Sequence, residues 1–376
     1  MPVPSHEELE RRKRLQIGPE TVSNQASTDF PGHWPGESNE WDLEVFKNNF
    51  TVNFYRNDAF DAQFSLVGID TSVANAFRRI MISEIPTLAI EDVFLYQNTS
   101  IVQDEVLAHR LGLIPLRGSK AGLKWMRWYQ KPSAEEDATN TGGPSDYNCA
   151  ILKLDVECTW QEGGLQRAAQ GETDPDRLYE NHSIYAKDIE WEPLGKQVDH
   201  FPEEDPIRSS HPDILIVKMR PGQKIELRMH AMKGIGQDHA KFSPVATATY
   251  RLLPTIDILK PIVGADAKKF ARCFPKGVIG LESVTDEDAA KDPELQGKEG
   301  EKKAVVTDPS KDTVSRECLR HPEFADKVKL GRVRDHFIFK VESTGQWDSD
   351  ELFLESVRLL KVKCQRIKRG LDSLMS

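Results

Sequence analysis

Alternating apolar and polar positions predict two strands and a helix early in the chain. Apolar residues alternate with polar ones over residues 50–54 and again over residues 62–66, and the turn-forming pair Asn57-Asp58 lies between them. The helix-capping sequence Asp70-Thr71-Ser72 follows, and the segment after it has one apolar face and stops before Pro86. The residues of that face are Val73, Ala76, Phe77, Ile80 and Met81.

Two segments in the middle of the chain alternate in the same way, residues 152–160 and residues 225–231. Each places apolar side chains on one face and charged or polar side chains on the other. One-sided strands of this kind belong in antiparallel sheets with one solvated face. Residues 161–212 are rich in Gly, Pro, Asp and Glu, which predicts irregular surface structure between the strands.

The last segment has the clearest helical pattern of the chain. It begins near Asp348, with Glu351 three positions on as a capping-box-like pair, and it is predicted to end at Gly370. Apolar residues recur at spacings of 4, 3, 4 and 3, and basic residues crowd the later turns, where cations favour the helix dipole. The pattern fits packing against a helix of another chain or against the chain's own sheet. The apolar positions are Phe353, Val357, Leu360, Cys364 and Ile367.

Two segments lack apolar periodicity. Residues 1–44 mix charge, Pro, Gly and Ser, which predicts a flexible arm. Its basic run from Arg11 to Arg14 fits either a solvated charge cluster or a nuclear address. Residues 281–313 contain ten acidic residues, five basic residues and no aromatic residue, which predicts a mobile acidic loop.

Composition and charge narrow the function classes. The chain has 50 basic and 60 acidic residues, a net charge of −10, so its mean field repels phosphate groups and specific nucleic-acid contact is not expected. Five cysteines lie far apart without a CxxC pair, which favours a reducing compartment and disfavours a zinc cluster. No apolar run approaches the ~18 residues of a membrane span, and no secretory signal opens the chain. The sequons at Asn98 and Asn181 are therefore expected to be inert.

The sequence contains none of the common catalytic motifs: no P-loop, HExxH, EF-hand loop, GxSxG elbow or kinase signature. The glycine pair in Gly234-Ile235-Gly236 is interpreted as a turn. Arg78 and Arg79 lie on the helix with the apolar face, which favours structural ion pairs over phosphate contacts. Four histidines, at spacings of 11, 19 and 9 residues, do not have the spacing of a common zinc site. They are His200, His211, His230 and His239. No catalytic residue, metal site or cofactor is expected.

Residues 70–116 resemble the signature of the alpha-like subunits of cellular RNA polymerases, which include the bacterial alpha amino-terminal domain and the archaeal D subunit. This stretch reads DTSVANAFRRIMISEIPTLAIEDVFLYQNTSIVQDEVLAHRLGLIPL. The resemblance extends to HAKFSPVATATYRL at residues 239–252 and to the closing strand and helix. The matching positions of the signature are Asn75, Arg78, Arg79, Glu84, Pro86, Ala89, Ile90, Asn98, Ser100, Asp104, Glu105, His109, Arg110, Gly112, Leu113, Ile114, Pro115 and Leu116.

The resemblance implies an α+β fold in which a bacterial-alpha-like dimerisation domain, a sheet plus two long helices, is split by an inserted, mainly antiparallel β domain. The implied dimerisation domain comprises residues 45–89 and 251–376, and the insert comprises residues 90–250. A smaller alpha-like partner would pack on the two helices, and for most of their apolar residues a place in the chain's own core is the alternative. The implied partner-interface residues are Val73, Phe77, Arg78, Arg79, Ile80, Phe353, Val357, Leu360, Cys364 and Ile367.

The cysteines indicate the branch of the family. Polymerase II subunits typically carry a zinc-binding cysteine cluster in the insert, and some archaeal D subunits carry cysteines for an iron-sulfur cluster, whereas the insert here holds only Cys149 and Cys158. Residues 259–279 and 308–324 are similar to segments of the forty-kilodalton subunits shared by RNA polymerases I and III. The resemblance therefore implies a nuclear, non-catalytic assembly and scaffold subunit that pairs with a small alpha-like subunit and docks the two largest polymerase subunits.

His109 and Arg110 have two possible roles under this resemblance. They form part of a docking surface for a large subunit, or they satisfy nearby backbone groups and the carboxylates of Asp104 and Glu105. Three other functions stay open from the sequence: a polymerase II or archaeal type subunit, a stand-alone hydrolase built on His and Asp residues of the insert, and an acidic chaperone based on residues 281–313.

Overall fold

The structure is a computed structural model that describes residues 5, 8, 11–24, 40–129 and 144–375. It combines antiparallel sheets with helices, which agrees with an α+β fold. The chain forms two compact units. The first unit comprises residues 1–55, 64–74 and 250–339, and the second unit comprises residues 56–63, 75–249 and 340–376. The division into a dimerisation domain and an insert stays a prediction.

The described residues form strands and α-helices of very different lengths. The strands are β1 (Arg14–Ile17), β2 (Val22–Ser23), β3 (Thr51–Asn57), β4 (Asp61–Val67), β5 (Thr87–Asn98), β6 (Leu116–Arg117), β7 (Cys149–Glu157), β8 (Thr159–Trp160), β9 (Tyr179–Glu180), β10 (Ser183–Tyr185), β11 (Glu190–Glu192), β12 (Arg208–Ser209), β13 (Leu215–Lys218), β14 (Lys224–Gly234), β15 (Val245–Ile258), β16 (Ile279–Ser283), β17 (Lys302–Val306) and β18 (Val328–Ser343). The α-helices are α1 (Leu43–Asn49), α2 (Thr71–Ser83), α3 (Asp104–Gly112), α4 (Lys120–Trp125), α5 (Gly164–Ala169), α6 (Pro175–Leu178), α7 (Gln197–His200), α8 (Gly264–Arg272), α9 (Asp286–Lys291) and α10 (Ser349–Met375).

The predicted flexible arm contributes two strands to the first sheet, which has the order β2-β1-β18-β4-β3, with β15 also paired to β18. β1 runs antiparallel to β18, Ile17 lies opposite Leu330, and the Ile17 side chain is buried. The prediction for residues 1–44 is therefore wrong at residues 14–23. Strands this short do not stand out as an apolar alternation among charged neighbours. Residues 25–39 and most of residues 1–10 lie outside the described part of the chain.

Phenylalanine rings fill the core of the first unit. Phe64 of β4 and Phe339 of β18 stack with their centroids 5.3 Å apart, and Phe270 of α8 meets Phe324 edge-on, also at 5.3 Å. All four side chains are buried, and each contributes about 1.5–3 kcal/mol through removal of apolar surface from water. β3 and β4 confirm the strand, turn and strand predicted over residues 50–66.

The segment predicted to be an acidic loop, residues 281–313, contains regular structure. β16 and β17 pair antiparallel with Ser283 opposite Lys302, and α9 lies between them. The Asp288 carboxylate accepts hydrogen bonds from the Thr285 cap and lies 2.6 Å from the Lys303 ammonium, and these contacts hold the pKa of Asp288 well below its usual range. The expectation of a segment without regular structure is wrong, because a capping box and a two-stranded ribbon order it although it buries few side chains.

The second unit contains a larger antiparallel sheet with the order β11-β7-β14-β5-β6-β12. β14 lies between β7 and β5 and pairs with both along its length. Leu152 and Leu154 on β7 and Leu227 and Met229 on β14 are buried, while the polar residues between them are more exposed. This pattern confirms the predicted one-sided antiparallel strands. Residues 161–212 form short helices and strands joined by turns, in place of wholly irregular structure.

His230 lies on the face of β14 that does not carry the buried leucines. Its ring packs against Phe94 with centroids 4.6 Å apart, and its Nδ1 atom is buried without a hydrogen-bond partner. Burial lowers the pKa of His230, and the negative charge of Asp92 offsets part of this effect. Because burial disfavours the protonated ring, the folded chain binds a proton at His230 less readily than the unfolded chain does.

Gly68 follows β4 with a backbone φ of +79°, and an added Cβ would lie 2.5 Å from the carbonyl oxygen of Asn49. We expect Gly68→Ala to lower the free energy of unfolding by about 1–3 kcal/mol, because strain and a backbone clash act together. Gly171 also has a positive φ, +92°, but has open space around its Cβ position, so Gly171→Ala is the matched control. Thermal unfolding of each variant, purified from its native cells together with the chains that bind it, measures both. Equal midpoints for the two variants would contradict the close approach at Asn49.

The depressed pKa of His230 predicts a pH dependence of stability. The stability linked to this ring is complete above the unfolded-state pKa of about 6.5 and is lost as pH falls from there through the lower folded-state pKa. We therefore expect His230→Leu to lose less free energy of unfolding than the natural protein between pH of about 7.5 and about 5. Urea unfolding of the tagged chain together with its bound partners, read by pulse proteolysis of the tagged chain, measures the difference. Parallel pH profiles for the two proteins would show that folding does not lower the pKa of His230.

Candidate partner interface

α2 begins where the sequence predicts it. The Asp70 carboxylate accepts hydrogen bonds from the hydroxyl group and the backbone N–H of Ser72, and the hydroxyl contact is the main cause of the lowered pKa of Asp70. A carboxylate at this position also interacts favourably with the positive end of the helix dipole. The helix ends at Ser83, three residues before Pro86.

α10 runs from Ser349 to Met375 and is longer than predicted. Gly370 lies inside the helix and does not adopt a positive φ, so the predicted end at Gly370 is wrong. A glycine ends a helix when it takes the left-handed conformation, and in the middle of one it costs only about 1 kcal/mol. The Glu351 carboxylate forms an ion pair with Lys120 and no capping box with Asp348.

Three of the predicted interface residues lie in the core of the second unit. The rings of Phe77 on α2 and Phe353 on α10 meet edge-on with centroids 5.4 Å apart, and they are only 8% and 6% exposed. Ile80 is also buried. Their burial fits the alternative that the sequence left open, a place in the chain's own core, and the interpretation of Phe77, Ile80 and Phe353 as partner contacts stays a prediction. They fill the contact between the two helices, because a helix that packs on its own chain shows the same apolar spacing as one that packs on a partner.

Beyond Phe353 the apolar stripe of α10 leaves the core. The exposed fraction of the side chain is 39% at Val357, 64% at Ile367, 54% at Leu371 and 83% at Leu374. The predicted residue Val73 on α2 is 36% exposed. We call the stripe the α10 seam, and it consists of Val357, Leu360, Cys364, Ile367, Leu371 and Leu374. The sequence prediction missed Leu371 and Leu374 because it ended the helix at Gly370, although their spacing of 4 and 7 residues from Ile367 continues the pattern.

Arg78 and Arg79 do not form the structural ion pairs expected from the sequence. Both Arg78 guanidinium contacts go to the Asn75 Oδ1 atom one turn earlier, at 3.1 and 2.9 Å. Arg79 is exposed, and among the described residues neither arginine has a carboxylate within ion-pair distance. Arg79 therefore presents a charged group at the surface of α2.

Ion pairs fix the orientation of α10 within the second unit. The Lys363 ammonium lies 2.5 Å from the Glu84 carboxylate just after α2, and Arg117 lies 3.2 Å from Asp348 just before α10. Together with the phenylalanine contact they hold α10 against α2 at the level of Lys363. The last three turns of the helix extend past these contacts and are exposed.

Arg110 has the local role that the sequence left open. Its Nε and Nη2 atoms donate to the carbonyl oxygens of Ile216 and Leu215 at 3.1 and 2.7 Å, so that it ties α3 to β13 and contacts no carboxylate. His109 is exposed on α3 and lines a cleft together with Glu91, Lys241 and Leu113. Both docking candidates are exposed, but the Arg110 guanidinium is engaged by backbone carbonyl oxygens, whereas the His109 side chain lines the cleft.

The four histidines singled out in the sequence have different packing partners. His200 stacks on Trp125, the His211 Nε2 atom donates a hydrogen bond at 3.0 Å to the Thr344 carbonyl oxygen, and His239 accepts a hydrogen bond from the Lys241 backbone N–H. Within the described residues, no group of three or more His, Cys, Asp and Glu side chains is arranged to hold a metal ion. The same part of the chain contains no helix with the length and apolar character of a membrane span.

Cys149 and Cys158 are both buried, and burial raises the pKa of Cys149 to about 12. A thiol with such a pKa is neither a nucleophile nor a ready metal ligand. The interface region instead offers an apolar helical stripe with fixed charges beside it, which suits helix packing.

Comparison with known proteins gives the family. The family model described as RNA polymerase Rpb3/Rpb11 dimerisation domain matches residues 63–364. The chain is 50% identical over 347 residues to the DNA-directed RNA polymerases I and III subunit RPAC1 of Saccharomyces cerevisiae, which covers 92% of this chain and 95% of that protein. It is 44% identical over 364 residues to human RPAC1, which covers 97% of this chain and 96% of the human protein. It is 33% identical over 319 residues to the DNA-directed RNA polymerases II, IV and V subunit 3 of Arabidopsis thaliana, covering 83% and 88%.

The higher identity to the subunits of polymerases I and III agrees with the branch indicated by the cysteines. The chain belongs to the family with the RNA polymerase Rpb3/Rpb11 dimerisation domain, as an alpha-like subunit of the type that RNA polymerases I and III share.

Proposed function

We propose that this chain is a non-catalytic assembly subunit of RNA polymerases I and III that pairs with a small alpha-like subunit through α2 and α10. The α10 seam is the observation that carries this proposal, since it is apolar, helical and exposed. A solvated helix of a soluble protein normally has a polar outer face. The family description, a dimerisation domain, supports the same use of these helices.

Burial of the seam supplies the free energy of pairing. Each of its larger side chains contributes about 1.5–3 kcal/mol when it is fully removed from water. Part of this gain offsets the lost freedom of the two chains, so the helices alone do not account for a stable complex. Interfaces of obligate partners bury upwards of about 2,000 Å², which requires contacts beyond the seam. Arg79 and Val73 on α2 are candidates for those contacts.

Once paired, the subunit would dock the two largest polymerase subunits, which hold the active site. His109 is the proposed contact, because it is exposed beside a cleft, whereas Arg110 supports the same surface through its bonds to β13. The complex would act in nuclear transcription, with ribosomal RNA genes in the nucleolus as targets of polymerase I and 5S and transfer RNA genes as targets of polymerase III.

The alternatives have less support. A polymerase II or archaeal type subunit agrees less well with the identities, which are higher for polymerase I and III subunits. A stand-alone hydrolase requires converging acid–base groups, and His200, His211 and His239 each pack in a different place. An acidic chaperone requires an extended acidic tract, whereas residues 281–313 contain paired strands.

The seam itself is tested by a double substitution. We expect Ile367→Asp together with Leu371→Asp to abolish recovery of the small subunit with the tagged chain, because two unpaired carboxylates would be buried at the interface. Copurification from the native cells followed by quantitative mass spectrometry measures the recovery. Leu165→Asp, at an exposed apolar position on α5, is the control and should leave recovery unchanged. Full recovery with the double variant would rule out this interface.

Without a partner the seam remains in water. We expect the chain expressed alone to aggregate or to fold poorly, and coexpression with the small subunit to make it soluble. Size-exclusion chromatography with light scattering measures this. A monodisperse, cooperatively melting monomer would contradict the proposal.

A further inference from the structure

The α10 seam has the heptad pattern of a coiled coil. Val357, Cys364 and Leu371 follow one another at intervals of seven residues, and so do Leu360, Ile367 and Leu374 three positions later. These two sets correspond to the a and d positions of three consecutive heptads. The assignment fixes which residues flank the seam, since e and g positions lie on either side of it.

Lysines occupy the flanking positions. Lys361 and Lys368 stand at e positions, are exposed, and have no carboxylate within ion-pair distance among the described residues. Lys363, at a g position, is already paired with Glu84. The chain as a whole carries a net charge of −10, so this basic border is a local feature of the seam.

A second copy of this chain does not fit the border. From Val357 to Met375 the e positions hold Lys361, Lys368 and Met375, and the g positions hold Lys363 and Gly370. No carboxylate flanks the seam. A homodimer with parallel or antiparallel helices would therefore bring lysine toward lysine or toward an uncharged residue. Like charges at these positions disfavour association.

We propose that Lys361 and Lys368 select the partner, and that the partner is a chain whose interface helix carries Asp or Glu at the positions flanking its own apolar stripe. This inference rests on the proposed pairing through α10 and adds its electrostatic determinant. The apolar seam provides the free energy of pairing. The two free lysines speed the encounter with an acidic helix, fix its register and exclude self-association.

The test uses tagged full-length chain from its native cells and compares two double variants. One carries Lys361→Glu and Lys368→Glu, and the matched control carries Arg366→Glu and Arg369→Glu. Both double variants change the net charge by the same amount in the same half of α10, but Arg366 and Arg369 stand at c and f positions away from the seam. We expect the lysine variant to bind the small alpha-like subunit about tenfold more weakly at ionic strength of about 0.1 M, and the arginine variant to bind it as the natural chain does.

Salt separates charge from apolar contact. At about 1 M salt the Debye length is about 3 Å, so the difference between the lysine variant and the natural chain should largely disappear. Equal binding by both double variants at low salt would overturn the selection by lysines. A recovered partner that carries Lys or Arg at its flanking positions would also overturn this selection. So would a lysine variant that still binds the small subunit and differs from the natural chain only in weaker retention on a heparin column.

The failure of this inference and the failure of the proposed function give different results. If the variant with Ile367→Asp and Leu371→Asp loses the subunit but the lysine variant keeps it, the proposed pairing through the seam stands and only the selection by charge fails. If all variants recover the subunit, the proposed interface at the seam is itself wrong.

Discussion

The edge-on contact between Phe77 and Phe353 is the interaction on which the candidate interface depends. It joins the middle of α2 to the first turns of α10, and the ion pair between Lys363 and Glu84 secures the next turns. Both rings are buried, so their contact is insulated from solvent. Since α10 is held only over its first half, its second half extends away from these contacts with the α10 seam uncovered. The apolar surface offered to a partner is thus a consequence of where the intramolecular packing stops.

The chain holds α2 and α10 in place with polar contacts as well as with apolar packing. Its polar contacts near the helices serve to position them: Arg117 with Asp348, Lys120 with Glu351, and Arg358 with Glu355. Lys233 donates to the carbonyl oxygens of Leu123 and Met126, and its pKa is lowered first by burial and then by the charge of Arg358. Under the proposed function, such a subunit contributes to a polymerase through the surface that it buries, and the inferred role of its charges is to select the surface that it meets.

Local patterns predicted much of the fold. The strand, turn, strand and helix over residues 50–83 follow directly from alternation and from the Asp70 cap, and the one-sided strands β7 and β14 follow from period-two patterning. β1, β2 and the ribbon of β16 and β17 were missed, because their stability comes from pairing with distant strands and from single capping contacts. Gly370 misled the prediction because its effect depends on the backbone conformation it adopts, which the sequence does not state. Periodicity identified the apolar face of α10 but not the division at Val357, because core and interface side chains share one spacing. The burial of the α10 side chains ends where α2 no longer runs beside α10, and the sequence pattern does not show this point.

Cys364 provides the most direct test of the account, because it lies at the centre of the α10 seam and is exposed in the chain alone, whereas Cys149, Cys158 and Cys318 are buried. The measurement is the rate of maleimide labelling of the Cys364 peptide in the intact native assembly, compared with the rate after mild dissociation of the subunits. The account predicts strong protection of Cys364 in the assembly and rapid labelling after dissociation. Equal labelling rates in the two states would show that no partner covers the seam.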